Sequence, residues 1–343
     1  MKENKKAVFF GELLMRLGTR NLQRFVQARE FEVGYTGAEA NAAVSVANYG
    51  LESYVVSAVP ASDIGQACIN HIRQFGVNTD FVLRTGNRLG TFYLEMGASQ
   101  RPSKVIYDRA GSSITALQPG QVNWDEVFEG KHWFHWSGTG PALSDSMTAT
   151  TAEACVAAKR HKLTVSCDLN YRRKLWSPEK AREIMTQLMK NVDVLIGNEE
   201  DTALVLGVEA KGVNVHSGSL SVERYKEVAR TLHERFGFKY VATTLRESFN
   251  ASENGWSCLL SDGKQCCHSR SYRMWVVDRV GGGDSFSGGL IYGLLTGMNT
   301  QEAVEFAAAA SCLKHSIHGD LNLVSREEVF ALMGGEASGR IQR

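Results

Sequence analysis

The run Val276-Val277-Asp278-Arg279-Val280-Gly281-Gly282-Gly283-Asp284-Ser285-Phe286-Ser287-Gly288-Gly289 constrains this chain more than any other. It reads as a strand, three consecutive glycines, and an acid that opens an apolar helix. Glycines at such a turn let backbone N–H groups converge on one point, and the helix adds the positive end of its dipole. The result is an anion pocket, suited to charge building up on a phosphoryl group. Asp284, at the helix start, is placed to accept a proton from a hydroxyl beside that pocket. An acidic cap on a helix after a flexible turn gives the same pattern without chemistry and contributes about 0.5–2 kcal/mol. Spacing alone does not separate the two. No Gly-Lys is followed by Ser or Thr, so a Walker A loop is absent, and a G-x-G-x-x-G pattern fails at Phe286.

Around this segment, short β-branched runs alternate with amphipathic stretches. Strands are expected over 163–168, 192–196, 239–244 and 275–277, and helices over 145–161, 178–190, 221–236, 284–295 and 300–315. Such repetition specifies an α/β fold, a mostly parallel sheet covered by helices on both faces. Ser177 before Pro178 reads as a cap followed by a first-turn proline. In the first third, a strand over 54–59 and helices over 41–49 and 64–75 continue the pattern. Segments of about 12–33 and 84–110 instead read as short strands rich in Gly, Arg and aromatics. They are expected to form a small β-layer inserted into one domain spanning 1–333, folding over the site as a lid. Residues 334–343 lack periodicity and read as a frayed tail.

Charge narrows the function classes. With 38 Lys+Arg against 37 Asp+Glu, the net charge of +1 argues against a nucleic-acid binder. No apolar run approaches the ~18 residues of a membrane helix, and the opening MKENKKAVFFGELL suits a first strand better than a leader. Seven scattered cysteines without a CxxC read as reduced thiols in a cytoplasmic protein. The pairs His132/His135 and His315/His318 lack the acidic or thiol companions of a zinc site.

Three spaced motifs carry a resemblance. Asp278-x-x-Gly281-Gly282-Gly283-Asp284 resembles the D-T-x-G-A-G-D signature of the ribokinase-like (PfkB) carbohydrate kinases, with Arg279 for Thr and Gly282 for Ala. Gly34-Tyr35-Thr36-Gly37-Ala38-Glu39-Ala40-Asn41 resembles that family's early glycine-rich turn, and Asn198-Glu199-Glu200-Asp201 its N-x-x-E motif with a terminal Asp. The resemblance spans Gly11 to about Phe330. It implies a three-layer α/β/α sandwich with a small β-sheet lid, ATP and Mg²⁺ as cofactors, and a sugar hydroxyl attacking the γ-phosphate. Asp284 is then the base, the N–H groups of Gly281, Gly282 and Gly283 the anion hole, and Gly37 and Asn41 sugar-binding. Asn198 and Asp201 help to organise Mg²⁺ through waters; a plain helix start is the alternative. The resemblance leaves open a monovalent cation near Asp278.

The nucleotide side departs from the family. Thr243-Thr244-Leu245-Arg246 replaces the usual K-x-G-x-x-G turn, leaving Thr244 or Arg246 to hold a phosphate, or Arg246 as an exposed strand-end arginine. The small residues of 307–310 make room either for a purine or for close helix packing. On the sugar side, Tyr93, Tyr107-x-Arg109 and Asp168-x-Asn170-x-Arg172-x-x-Leu175-Trp176 are similar to the 2-keto-3-deoxygluconate kinase branch. A neutral sugar has no use for two arginines, whereas the guanidinium fork suits a carboxylate or a phosphate; surface ion pairs are the alternative. The implied substrate is a sugar acid, 2-dehydro-3-deoxy-D-gluconate, taken at its terminal hydroxyl. A fructokinase- or ribokinase-type enzyme, or a non-catalytic sugar-binding regulator, is the other reading. An apolar lid face carrying Phe25, Phe31, Val33, Phe92 and Leu94 is expected to pair with a second copy as a homodimer.

Overall fold

The computed structural model describes residues 4–209 and 222–336. In chain order the strands are β1 (Lys6–Phe10), β2 (Leu14–Gly18), β3 (Glu32–Thr36), β4 (Glu52–Val59), β5 (Val82–Arg84), β6 (Gly90–Glu95) and β7 (Lys104–Asp108). Then follow β8 (Trp133–Ser137), β9 (Thr164–Asp168), β10 (Val194–Gly197), β11 (Tyr240–Ser248), β12 (Glu253–Ser261), β13 (Cys266–His268) and β14 (Tyr272–Trp275).

The large sheet has the order β13-β12-β11-β10-β9-β8-β1-β4-β5, with β14 beside β12. From β11 to β5 every neighbour is parallel, while β12 makes the far edge antiparallel. Side chains alternate along each strand, so Ala7 and Phe9 enter one core and Val8 and Phe10 the other. The first core is closed by helices Ala38–Asn48, Gly282–Thr296 and Thr300–Lys314. The second is closed by Asp145–Arg160, Pro178–Leu188 and Val222–Phe236. Each buried aromatic stabilises the sandwich by about 1.5–3 kcal/mol. Among the described residues no helix is long and apolar enough to cross a membrane.

A separate four-stranded sheet, ordered β3-β2-β6-β7, is formed by the segments expected as a lid and is called the lid below. Its apolar residues do not share one face as expected, because neighbours in sequence point oppositely. Phe92 and Leu94 turn inward with Leu14, Met96 and Val105 onto Val280 of the main body. Val33 and Ile106 stay outside, each 54% exposed, and Phe31 packs edge-on against Tyr93.

Three other expectations change. The strand expected over 275–277 ends at Trp275, because the amides of Val277 and Asp278 instead reach the carbonyl of His315 (2.8 and 3.3 Å). The glycine turn therefore follows an edge strand and a loop. β11 runs on to Ser248, so Thr244 and Arg246 lie within the strand, opposite Cys258 and Trp256. Ala307–Ala310 resolve as helix packing: a Cβ on Gly289 would stand 2.9 Å from the Ala307 Cα, so the two helices touch backbone to backbone. Residue 221 of the helix expected over 221–236, and 337–343 of the expected tail, lie outside the described residues.

Candidate active site

Parallel strands deliver their following loops to a single edge of the sheet. Two cavities open there, of about 260 and 410 Å³, sharing Asp168, Asn170, Arg172 and Gly283 as a common wall. The smaller lies between sheet and lid and is lined by Gly37, Asn41, Tyr107, Arg109, Gly281, Gly282 and Asp284. The larger is lined by Asn198, Asp201, Thr244, Arg246 and Trp256. The sequence-expected residues thus gather at one place, with one exception. Tyr93 stands on the strand face opposite Phe92, and Phe92 lines the cavity instead.

The glycine turn is built as its composition requires. Gly281 has φ 82°, and a Cβ there would stand 1.9 Å from the Asp320 carbonyl oxygen. A Cβ on Gly282 would meet His315 Cε1 at 2.4 Å, which explains a glycine where the family signature has alanine. Gly283 faces open space. Of the three amides expected to form an anion hole, that of Gly282 donates within the turn, to Arg279 O (3.4 Å). The Gly283 and Asp284 amides lie in the first turn of the helix Gly282–Thr296, where no intrahelical acceptor exists. They point the helix dipole at the wall shared by the cavities.

Asp284 is partly buried and its Oδ2 accepts a hydrogen bond from Asn41 Nδ2 (2.7 Å). Asn41 is itself fixed by Thr36, whose Oγ1 donates to its Oδ1 (2.8 Å). Burial pushes the Asp284 carboxyl up to about 7; Glu39 and Asp320 add to the rise, while Asn41 and Arg172 oppose it. Asp168 is pushed up to about 8 by burial and by the charges of Asp284 and Asp201. Burial raises Asp201 to about 6. A general base whose pKa lies near neutrality is well matched to taking a hydroxyl proton.

The two arginines differ. Arg109 is buried, its Nε donating to Glu12 Oε2 (2.8 Å) and its Nη2 to the same oxygen, with Ser112 Oγ on Oε1 (2.6 Å). Its guanidinium lies 5.0 Å from the Tyr107 ring centroid. Its charge is thereby matched, so the expectation of two free arginines reduces to one. Arg172 is exposed on the shared wall, and among the described residues it pairs with no carboxylate; its Nη1 reaches the Tyr171 carbonyl at 3.5 Å. Asn170 beside it holds φ 37°, a conformation that asparagine tolerates better than most residues.

In the larger cavity Asn198 is an N-cap, its Oδ1 accepting from Asp201 N (2.8 Å) and its Nδ2 donating to Asp201 Oδ2 (3.2 Å). Asp201 also accepts from the Tyr171 amide (3.3 Å). Thr244 and Arg246, two apart on β11, share a face toward this cavity. Sequence reasoning missed Glu12, Asp320 and Arg279 in the smaller cavity and Trp256 in the larger. Asp168 was visible only as part of a motif, and Asp320 carries no local signal at all.

Known proteins resemble this chain along nearly its whole length. The model of the pfkB family carbohydrate kinases matches residues 4–325. The 2-dehydro-3-deoxygalactonokinase of Haloferax volcanii is 33% identical over 331 residues, 96% of this chain and 97% of the relative. The 2-dehydro-3-deoxygluconokinase of Bacillus subtilis is 25% identical over 334 residues, 96% of each. The crystal structure of 2-dehydro-3-deoxygluconokinase from Thermotoga maritima superposes with a TM-score of 0.93 at 45% identity, covering 96% of this chain and all of that one.

Proposed function

Because the chain belongs to the pfkB family of carbohydrate kinases, we propose that it transfers the γ-phosphate of ATP to the terminal hydroxyl of 2-dehydro-3-deoxy-D-gluconate, giving the 6-phosphate. The observation that carries the sugar-acid assignment is the exposed guanidinium of Arg172, unpaired among the described residues, on the wall shared by both cavities. A planar fork free to bind a carboxylate has no task in a neutral-sugar site.

In this reading the sugar acid lies between lid and sheet, its carboxylate toward Arg172 and its terminal hydroxyl toward Asp284. The Arg109–Glu12 pair, neutral as a unit, supplies hydrogen bonds and shape more than charge. Asp284 takes the hydroxyl proton as the oxygen attacks phosphorus, while the amides of Gly283 and Asp284 steady the charge on the transferring group. The nucleotide occupies the larger cavity, with Thr244 and Arg246 toward its phosphates. Asp168 and Asp201, both raised in pKa chiefly by burial and secondly by neighbouring carboxylates, fit a divalent cation at the junction. Bound with the nucleotide, Mg²⁺ supplies neutralisation of phosphate charge, and water-mediated contact suits it because it keeps much of its hydration.

The similarity to the Haloferax volcanii enzyme favours a second reading, in which 2-dehydro-3-deoxy-D-galactonate is the better substrate. A coupled ADP-release assay with both keto acids and with fructose and ribose tests the proposal. The keto acids should turn over and the neutral sugars should not. No ADP with either keto acid would overturn it, and preference between the two decides the epimer.

A further inference from the structure

Lys314, the last residue of the helix Thr300–Lys314, is fully buried, an unusual place for an ammonium. Its Nζ donates to the backbone carbonyl of Asp278 (3.0 Å), the residue that opens the glycine turn. Asp278 is held from several sides. Its Oδ2 accepts from Arg16 Nη2 (2.6 Å) and from the Gly319 amide (3.2 Å), and its Oδ1 from the Val280 amide (3.1 Å). Arg16 also pairs with Asp320, the residue whose carbonyl oxygen abuts Gly281. Two cations, Arg16 and Lys314, and two anions, Asp278 and Asp320, thus form a buried, charge-matched cluster beneath the turn.

The turn needs positive charge at that spot. Of its carbonyls, that of Gly281 accepts from the Ser285 amide (2.8 Å) and that of Gly282 from Ser311 Oγ (2.7 Å), while that of Asp278 points into the buried cluster. Carbonyl oxygens are the ligands that a bare alkali cation would take. Here a tethered ammonium already donates to one of them, and the cluster is neutral. A further cation entering it would lose its hydration without an unpaired anion to meet, at a cost of several kcal/mol.

We propose that Lys314 is a built-in cation: its ammonium takes the place of a monovalent metal ion under the anion-hole turn and keeps that turn in its phosphate-binding form. The residues present do not fit an additional potassium or sodium ion, and the enzyme works without one. Lys314 lines neither cavity, so it is a positioning residue. The inference rests on the reading of the turn as phosphoryl-binding.

The test replaces K⁺ by tetramethylammonium as the sole monovalent cation, following both turnover and the thermal midpoint. The wild-type enzyme should show equal rates and midpoints in K⁺, Na⁺, Rb⁺ and tetramethylammonium. Lys314→Ala, which opens room under the turn, should lose about tenfold or more in kcat in tetramethylammonium and regain it in K⁺ or Rb⁺. The same ions should raise the midpoint of this variant and not that of the wild type. Lys314→Met, which keeps the apolar stem, should fall likewise and stay low in every salt. Stimulation of the wild type by K⁺ of about tenfold would overturn the proposal, and this arm needs no variant to fold. So would a Lys314→Ala enzyme that folds and remains fully active in tetramethylammonium, or one whose midpoint ignores every cation. The midpoint is read without substrate, so failure of the sugar-acid assignment leaves this test intact.

Discussion

Asn41 donates its side-chain amide to the carboxylate of Asp284 across 2.7 Å, from the early helix Ala38–Asn48 to the first turn of the helix Gly282–Thr296, joining two parts of the chain 243 residues apart. The bond orients the carboxylate proposed as the base and favours its ionised form. Asn41→Ala should lower kcat about tenfold or more and move the acid limb of the pH–rate profile to higher pH, since a stabiliser of the carboxylate is gone. An unchanged limb would show that Asn41 acts on the sugar alone.

The wild-type kcat/KM should rise with pH through about 7, where Asp284 ionises. Asp284→Asn should abolish that limb and cost about 10²–10⁴-fold in rate.

The same carboxyl sets a stability trade-off. Its folded pKa of about 7 lies above the ordinary 3.8, so the protonated acid favours the folded state. That contribution is full below the ordinary value and is lost as pH rises through about 7. Asp284→Asn should therefore raise the thermal midpoint at pH 8 by about 2 °C or more and flatten its pH dependence. A lower midpoint for the variant would contradict the burial argument.

Arg172→Ala should raise KM for a keto acid about tenfold to a hundredfold, the loss of a charge-assisted pair worth about 1.5–3 kcal/mol, while the low background with neutral sugars stays where it was. Equal losses on both would mean that Arg172 serves the nucleotide.

Gly282→Ala should destabilise the protein and depress turnover, because its methyl would stand 2.4 Å from the His315 ring. The clash belongs to the pair, so His315→Ala in the same chain should recover part of the loss. An additive double variant would place the strain elsewhere.

The outer lid row of Val33 and Ile106, each 54% exposed, with Phe31 at 37%, suits a second copy of the chain. Sedimentation should show a dimer that Ile106→Lys dissociates. A monomer at working concentration would leave the row simply exposed.

How much of this was legible in the sequence depended on where each signal was stored. Local order was plain: Ser177 and Pro178 start a helix as expected, and the glycine turn reads directly from composition. Register was not. Whether Phe92 or Tyr93 faces the smaller cavity turns on strand pairing, which one residue of slip reverses. Likewise, two arginines at the right spacings could not reveal that Arg109 already faces Glu12, a partner 97 positions away. Lys314 left one overlooked trace, a charge directly after the apolar run of 306–313.

Arg16 belongs to lid strand β2, yet its guanidinium is spent on Asp278 and Asp320 in the body. Parting those charges in a dry interior would cost several kcal/mol, so the roof of the sugar pocket cannot lift away whole. In the proposed reaction, entry of sugar and exit of phosphorylated product are expected at the edge away from that anchor, where Tyr107 stands on β7.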